Sequence, residues 1–347
     1  MNNLKIYKMN WDKIKIQKQD GEVVDAQAPI IISASRSTDI PAFYSDWLVQ
    51  RIKEGYVKWK NPFNGVPLYV TFKKARLIVF WSKNPRPIIK HLDFIKEHIP
   101  NFYFQYTLND YDSEKIESKV PNVKFRIDTF IELSEKIGKD KVIWRFDPLI
   151  LTDKIGVEEL LRKTEDIGNQ LKNYTDKMVF SFADIKLYKK VQSNLQKSHI
   201  NYQEFDERTM NEYATGLQQL NKSWNFEIGT CAERIPLEKY GILHNKCVDD
   251  DLIIKLFPHD KILMDFLGAK ITPPDMFNSE FRIEKTKSNK DKGQREFCGC
   301  INSKDIGEYN TCPHLCEYCY ANSSKELALA NWKKHKSNTN NEMIKGE

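Results

Sequence analysis

The chain has 347 residues, of which 40% are hydrophobic and 29% charged, a composition that excludes a disordered or fibrous protein and allows one large domain or two smaller ones. No apolar run approaches the roughly 20 residues that a membrane-spanning helix needs, and the amino-terminal residues lack the apolar core of a signal peptide. We therefore expect a cytoplasmic protein without a membrane partner. The net charge of +6 permits a nucleic acid as partner, although a lysine-rich solvated surface explains it better.

Residues 1–28 are predicted to form an N-terminal hairpin extension. Residues 13–18 alternate between polar and apolar side chains, which is typical of a strand with one buried face. Asp20 and Gly21 are typical of a hairpin turn, and residues 22–24 can return as the second strand. We expect no catalytic role for such an edge hairpin.

Residues 29–281 repeat one pattern, in which a short apolar strand ends in polar residues and an amphipathic helix usually follows. Apolar strands that alternate with helices indicate a parallel sheet. No G-x-G-x-x-G segment follows any strand, and nearly every strand ends in polar residues, as barrel strands do at their catalytic rim. We therefore predict an α/β fold that is an open or partial (βα)6 TIM-like barrel. Its six strands are predicted at residues 29–34, 77–81, 102–108, 142–146, 178–182 and 225–229.

The regular pattern fades towards the carboxyl terminus. Residues 282–297 carry many lysines and arginines with few apolar residues, which predicts a mobile basic linker. A cysteine-rich segment at residues 298–334 is predicted to pack on the mouth of the barrel. Residues 335–347 are predicted to be a disordered tail.

Polar side chains at the strand ends form the predicted site. Because the carboxyl ends of barrel strands meet at one rim, we expect these groups to face a common mouth. Basic groups there can hold a carboxylate or phosphate, and carboxylates can bind ribose hydroxyls or an amine. For each residue, a helix cap or a salt bridge is the alternative interpretation. The predicted catalytic residues are Arg36, Asp39, Lys83, Arg145 and Asp147, and the predicted cofactor contacts are Asn109, Glu233 and Tyr318.

Five of the seven cysteines lie between residues 298 and 319, and the last three have the spacing C-x3-C-x2-C. Short tethers cost little entropy, so Cys312, Cys316 and Cys319 can converge on one metal centre. Zinc prefers four ligands, and Cys298 and Cys300 with two of the other three would supply them, leaving one thiolate over. A 4Fe-4S cluster held by three cysteines keeps one iron open for a substrate or cofactor, and we favour this interpretation.

The remaining cysteines allow several interpretations. Cys298 and Cys300 can supply ligands to the same centre, bridge a second metal or act as a redox pair, and we predict metal ligation. Cys231 follows the sixth strand, where it can be a ligand, a hydrogen donor or a small buried apolar residue. Cys247 has no informative context, and His314, inside the motif, is expected to point to solvent.

The motif of Cys312, Cys316 and Cys319, with the aromatic Tyr318 before the last cysteine, resembles that of the radical S-adenosylmethionine enzymes. This resemblance implies a 4Fe-4S cluster, S-adenosylmethionine chelated at the open iron, an external electron donor and a 5′-deoxyadenosyl radical. In that superfamily the motif follows the first strand. The tail is therefore expected to fold back over the barrel mouth, as in a circular permutation.

A closer resemblance covers residues 29 to 325. The segments SASRSTDIP (33–41), FWSKNP (80–85), YTLN (106–109), WRFDP (144–148) and TCPHLCEYCYAN (311–322) together resemble an uncharacterised bacterial family, a domain of unknown function noted for such a cysteine cluster. This resemblance implies a fold and a cluster, and no reaction. A more distant likeness is to DNA repair enzymes of the spore-photoproduct-lyase type.

Two functions therefore remain open from the sequence. The first is a radical S-adenosylmethionine-like enzyme whose unknown substrate is a small molecule or a nucleic acid. The alternative is a nucleic-acid-associated protein with a structural zinc or iron–sulfur site, which the basic residues 282–295 and 333–336 suggest.

Overall fold

The computed structural model describes residues 11–62, 64–272 and 282–346. Its strands are β1 (Lys13–Gln17), β2 (Val23–Gln27), β3 (Ile31–Ala34), β4 (Tyr56–Lys60), β5 (Pro67–Thr71), β6 (Leu77–Ser82), β7 (Asn101–Thr107), β8 (Val142–Leu149), β9 (Leu151–Thr152), β10 (Lys177–Phe182), β11 (Tyr202–Gln203), β12 (Glu227–Thr230), β13 (Ile242–His244), β14 (Ala269–Thr272), β15 (Arg282–Lys285) and β16 (Lys304–Asp305). Its helices are α1 (Ile40–Phe43), α2 (Ser45–Glu54), α3 (Arg86–Ile89), α4 (Leu92–His98), α5 (Val123–Ile137), α6 (Val157–Leu171), α7 (Lys189–Lys197), α8 (Glu207–Trp224), α9 (Asp250–Leu256), α10 (Lys261–Leu267) and α11 (Lys325–Ser337).

The centre of the fold is an eight-stranded sheet with the order β13-β12-β10-β8-β7-β6-β3-β16. All of its neighbouring strands pair in parallel. The α/β fold and its parallel sheet are therefore confirmed, and the six predicted strands are neighbours in chain order. In the described part of the chain β13 and β16 are the two edges and do not pair with each other, so a closed barrel is not shown.

Alternate residues of the central strands enter two different apolar cores, because successive side chains of a strand point to opposite faces. Phe80, Phe104, Trp144 and Phe180 pack with the helices that follow the strands. Side chains of opposite parity, among them Val79, Tyr103, Ile143 and Val179, pack with α9, α10 and residues 298–301. Burial of each such side chain contributes roughly 1.5–3 kcal/mol, which explains why both faces of the strands are apolar in sequence.

The predicted N-terminal hairpin is present within the described residues. β1 and β2 pair antiparallel, and they continue into a separate four-stranded sheet with the order β1-β2-β5-β4. Gly21 closes the turn with φ of +88°, a conformation that a side chain would strain. Residues 1–10 of the predicted extension lie outside the described part.

Two segments near the carboxyl terminus differ from the sequence-based prediction. The predicted linker contains β15, which pairs antiparallel with β14, and Lys285 Nζ lies 2.8 Å from Asp250 Oδ2. The predicted disordered tail is packed, because Trp47 Nε1 donates to the carbonyl oxygen of Asn341 at 2.8 Å and Ile344 is only 1% exposed. Acidic partners and apolar burial from distant parts of the chain stabilise these segments, and composition alone does not reveal such partners. None of the helices in the described ranges is both long and apolar enough to span a membrane.

Candidate metal centre at the carboxyl edge of the sheet

The two-residue strand β16 brings the cysteine motif to the carboxyl edge of the sheet. Lys304 lies opposite Ile32 and Asp305 opposite Ser33 in the parallel pairing with β3. The next turn packs so closely that a Cβ at Gly307 would collide with Ser35 Oγ. Since β16 runs in the same direction as the other strands, the chain leaves it at the edge where the polar strand ends lie. The loop of residues 312–319 follows there.

The thiols of Cys312, Cys316 and Cys319 gather in this loop as free cysteines. Each has an electrostatic contact with at least one of the other two, and Cys316 also faces Lys83. Burial raises the pKa of all three thiols, and Lys83 opposes this rise at Cys316 and Cys319. A positive partner that lowers the cost of a buried thiolate suits metal ligation.

The sulfurs of the loop are spaced more loosely than the ligands of a zinc ion that is already bound. A tetrahedral zinc ion with Zn–S bonds of about 2.3 Å brings its sulfur ligands to roughly 3.8 Å from one another. Among the described residues, the only three Cys, His or acidic ligand atoms within 4.8 Å of one another belong to the lysine-paired Asp249, Asp250 and Asp251. The sulfurs of Cys312, Cys316 and Cys319 therefore do not all lie within 4.8 Å of one another.

Backbone N–H groups surround two of the three sulfurs. Those of Asp39 and His314 lie at the sulfur of Cys312, and those of Ala321 and Asn322 lie at the sulfur of Cys319. Donors of this kind stabilise metal thiolates and tune iron–sulfur clusters. The loop therefore offers three thiols, two of which have backbone hydrogen-bond donors at their sulfurs.

A buried polar network holds Lys83 beside Cys316. Lys83 Nζ lies 2.8 Å from Glu117 Oε1 and donates to the hydroxyl of Tyr318 at 2.6 Å. Asn109 Nδ2 donates to the same Glu117 oxygen at 3.0 Å and to the Tyr318 hydroxyl at 3.1 Å. The hydroxyl of Tyr318 donates to Glu117 as well. The predicted site residues Lys83, Asn109 and Tyr318 are therefore brought together at the cysteine loop.

The sequence analysis missed Glu117, which is the centre of this network. Its side chain is 1% exposed, and Arg126 Nη1 lies 3.4 Å from its second oxygen. Burial alone would raise the pKa of Glu117, but the positive charges of Lys83 and Arg126 outweigh it and lower that pKa to about 2. Glu117 stands in a polar stretch that is typical of a solvated loop, so the sequence carries no signal for it.

Asp39 joins the first strand-end loop to the cysteine loop. Its Oδ1 accepts hydrogen bonds from the N–H of Ala42 at 3.0 Å, as the cap of α1, and from Ser82 Oγ at 2.7 Å. Its Oδ2 accepts the N–H of Lys83 at 2.7 Å and lies 2.8 Å from His314 Nε2. His314 is 2% exposed, which differs from the expectation that it points to solvent. Asp39 therefore caps helix α1, which was the alternative interpretation of this residue from the sequence. It also positions the cysteine loop through His314.

The buried Arg145 and the half-buried Asp147 form an ion pair beside this network. Asp147 accepts hydrogen bonds from Arg145 and from Ser181, and Arg145 Nη1 donates to Gln105 Oε1 at 3.1 Å. Burial alone would raise the pKa of Asp147, but Arg145 and Ser181 hold that pKa below its usual range. The pair is thus a charged, hydrogen-bonded feature of the carboxyl edge.

Arg36 and Glu233 lie around the same edge. The Arg36 guanidinium stands 5.1 Å from the ring centroid of Trp81, which also contacts Arg145. Glu233 Oε1 accepts the N–H of Phe182 at 2.9 Å. Burial raises the pKa of Glu233 to about 8, although that N–H opposes the rise. Burial therefore extends the pH range over which the carboxyl group of Glu233 keeps its proton.

A comparison with protein families finds a match over nearly the same residues as the resemblance seen in the sequence. A family model described as Domain of unknown function (DUF1848) matches residues 31–321. The chain belongs to this family. No curated protein matches the DUF1848 chain. Among solved structures, a putative alpha-L-fucosidase from Bacteroides thetaiotaomicron VPI-5482 has 11% identity and a TM-score of 0.25, covering 50% of this chain and 77% of that one.

The structure places Cys298 and Cys300 of the DUF1848 chain with Cys231 and Cys247. The sulfurs of Cys231 and Cys247 lie 3.4 Å apart, and the thiol of Cys300 lies beside those of Cys247 and Cys298. The sequence analysis predicted metal ligation for Cys298 and Cys300, with the centre of Cys312 and a second metal both left open, and it gave Cys247 no role. Cys247 lies 51 residues before Cys298 in the chain, so spacing carries no signal for this contact.

The DUF1848 chain also has an open surface groove of about 570 Å³ between α6 and α8. Its lining includes Glu158, Glu159, Arg162 and Glu165, and it contains no cysteine. The groove lies on the helix-covered side of the sheet.

Proposed function

We propose that this protein is an iron–sulfur enzyme of the radical S-adenosylmethionine type, in which Cys312, Cys316 and Cys319 hold a 4Fe-4S cluster. One observation carries the proposal. β16 is an edge strand parallel to β3, and the C-x3-C-x2-C loop follows it directly. In spatial order the motif thus follows the first strand of the sheet, as it does in the superfamily that the motif resembles.

A partial barrel is the second element of this proposal. It is supported by the strand order, which follows the chain from β3 to β12 without reversal. A doubly wound fold reverses its strand order at the ligand site, and this sheet does not. The large helices α2, α5, α6 and α8 pack on one face, which leaves the other face for an interior that the later segments fill.

The residues present fit such a cluster, through three thiols in one loop and through N–H groups at the sulfurs of Cys312 and Cys319. A reduced cluster of this type supplies an electron, obtained from an external donor, to the sulfonium of bound S-adenosylmethionine. Lys83 lowers the cost of negative charge on Cys316, and Glu117, Asn109 and Tyr318 hold Lys83 in that position. In this arrangement Lys83 and Tyr318 are positioning residues for the thiolates.

The ligand itself is expected to lie over the polar strand ends. Arg145, Asp147 and Ser181 can bind hydroxyl, amine or carboxylate groups by charge-assisted hydrogen bonds. In its protonated form, which burial favours, Glu233 can donate a hydrogen bond to an acceptor of the same ligand.

The test is anaerobic purification with iron and sulfide analysis, followed by incubation with dithionite and S-adenosylmethionine. We expect iron and sulfide in equal amounts and release of 5′-deoxyadenosine. Cys316→Ala should abolish this product and remove the cluster, whereas Tyr320→Phe, exposed in the same loop, should keep both. A colourless protein with zinc and no sulfide, or a Cys316→Ala variant that still cleaves S-adenosylmethionine, would contradict the proposal.

The alternative of a nucleic-acid-associated protein has weaker support. Lys285, in the segment predicted to be a basic linker, is paired with Asp250 and Asp251, and Arg295 lies 3.7 Å from Asp184. Charges that are neutralised within the chain contribute little to binding phosphates.

A further inference from the structure

Four cysteines form a second group of thiols, separate in its contacts from the cysteine loop. Cys231, Cys247, Cys300 and Cys298 follow one another in space, and the first two sulfurs lie 3.4 Å apart. Arg145 and Arg36 are positively charged neighbours of this group. Those of Cys316, by contrast, are Lys83 and Glu117.

The four thiols come from three distant parts of the chain that meet on the interior face of the sheet. Cys231 follows β12 and Cys247 follows β13, whereas Cys298 and Cys300 precede β16. Cys247, Cys298 and Cys300 are at most 8% exposed and pack in the interior apolar core. A free cysteine in a core acts only as a small apolar side chain. Packing alone therefore does not explain why four cysteines lie together here.

The hydrogen-bond donors around the group are those that thiolate sulfurs accept. Cys300 Sγ accepts the N–H of Cys247 at 3.2 Å and that of Val248 at 3.5 Å. Cys247 Sγ accepts a hydrogen bond from Arg145 Nη1 at 3.0 Å. Metal-bound thiolates commonly accept such hydrogen bonds, because N–H donors stabilise the negative charge that remains on the sulfur.

Arg36 supplies an independent observation. Its Nη2 atom is buried and has no hydrogen-bond partner among the described residues. Cys300 is the negative group with the largest electrostatic effect on this guanidinium. A buried donor without an acceptor is unfavourable, and a thiolate at Cys300 would provide the missing negative partner.

We propose that Cys231, Cys247, Cys298 and Cys300 bind a single thiophilic divalent ion, Zn²⁺, in a second metal centre. The four thiols release their protons to solvent when the ion binds, and no electron is transferred. The centre ties the ends of β12 and β13 to the segment that enters β16. It thereby fixes the strand from which the loop of Cys312 starts, and its occupancy is independent of the proposed cluster.

The close contacts within the group favour one ion over a second cluster. A separation of 3.4 Å between two sulfurs is near the roughly 3.8 Å that tetrahedral zinc requires. No three of these sulfurs lie within 4.8 Å of one another, so the outer thiols turn inwards when the ion binds. Ile31, Val79 and Tyr103 pack in the same apolar core as Cys247, Cys298 and Cys300.

Metal analysis of the full-length protein, purified anaerobically after growth with zinc and iron, tests this centre. We expect one zinc per chain in the wild type. Cys300→Ser and Cys247→Ser should each lose the zinc and retain iron and sulfide. Cys316→Ser is the reciprocal variant and should retain the zinc while it loses the iron. Because each metal is assayed separately, failure of the cluster proposal and failure of this one give different results.

A spectroscopic measurement on the wild type avoids dependence on variants that fail to fold. Protein stripped of zinc by a chelator should bind one equivalent of Co²⁺ with the intense sulfur-to-cobalt absorption and visible bands of a tetrahedral thiolate site. Absence of these bands would overturn the proposal. So would zinc that remains in Cys300→Ser, a disulfide between Cys231 and Cys247 in place of zinc, or a loss of iron from Cys300→Ser equal to one cluster.

Discussion

At the scale of single residues, the candidate site depends on a carboxylate with no chemistry of its own. Glu117 lies between Lys83 and Arg126, two cations that are largely or wholly buried. Each cation would be costly in the interior without a counter-charge. The position of Lys83 beside Cys316 is therefore a consequence of Glu117, and the site cannot be understood from its thiols alone.

Replacing Glu117 by Gln is expected to lower the free energy of unfolding by about 3–5 kcal/mol, because it leaves buried cations without their partner. The measurement is urea unfolding at neutral pH. Glu135→Gln, an exposed change on α5, should alter stability by less than about 0.5 kcal/mol. The double variant Glu117→Gln with Lys83→Met should recover part of the loss, and a simple sum of the two single effects would contradict this electrostatic account.

Residue types at fixed spacing could be predicted from the sequence, whereas partners from distant segments could not. The spacing of Cys312, Cys316 and Cys319 indicated one group of thiols, and they do lie in one loop. His314 was expected in solvent, and its contact with Asp39 depends on how a loop 275 residues away is folded. The contact of Cys247 with Cys300 has the same origin, since no local pattern records it.

At the scale of elements, the two-residue strand β16 determines where the cysteine loop lies. Two residues are too few for any periodic pattern, so this strand could not be predicted. It nevertheless sets where the cysteine loop begins. Lys304, on this strand, is only 8% exposed, and its Nζ lies 3.2 Å from the ring centroid of Trp59.

Lys304→Met is expected to stabilise the protein at and below neutral pH. Burial lowers the pKa of Lys304 from 10.5 to about 7, although Asp305 opposes the shift. The folded state therefore carries a penalty for the charged lysine that is full below pH 7 and disappears as the pH rises towards 10.5. The gain from Lys304→Met should be on the order of a few kcal/mol at pH 6.5 and should shrink by pH 10.

Thermal unfolding at the two pH values measures this difference. Lys270→Met, an exposed change on β14, should show no such dependence on pH. A Lys304→Met variant that is less stable than the wild type at pH 6.5 would mean that the contact with Trp59 outweighs desolvation.

At the scale of the whole molecule, the repeating βα pattern predicted the parallel sheet and its six central strands. The signal was strong because each of these strands is buried on both faces and is bounded by polar residues. What composition did not reveal is how the end of the chain closes the fold. Residues 335–346 read as a polar tail, yet Arg51 Nη2 donates to the carbonyl oxygen of Asn340 at 3.1 Å, and Tyr56 donates to Glu342 at 2.6 Å.

Ile344→Ala tests whether this tail belongs to the folded unit. Ile344 is 1% exposed in the helix-side core, and the carbonyl oxygen of the same residue contacts His335 Nδ1 at 2.9 Å. Truncating a side chain in a packed core costs about 2–5 kcal/mol, so the variant should unfold at a clearly lower urea concentration. Ile262→Ala is the matched control, because Ile262 on α10 is 53% exposed and should lose much less. Equal, small effects of the two changes would mean that the tail is free in solution, and Trp47 and Arg51 would then lack the partners that the folded chain gives them.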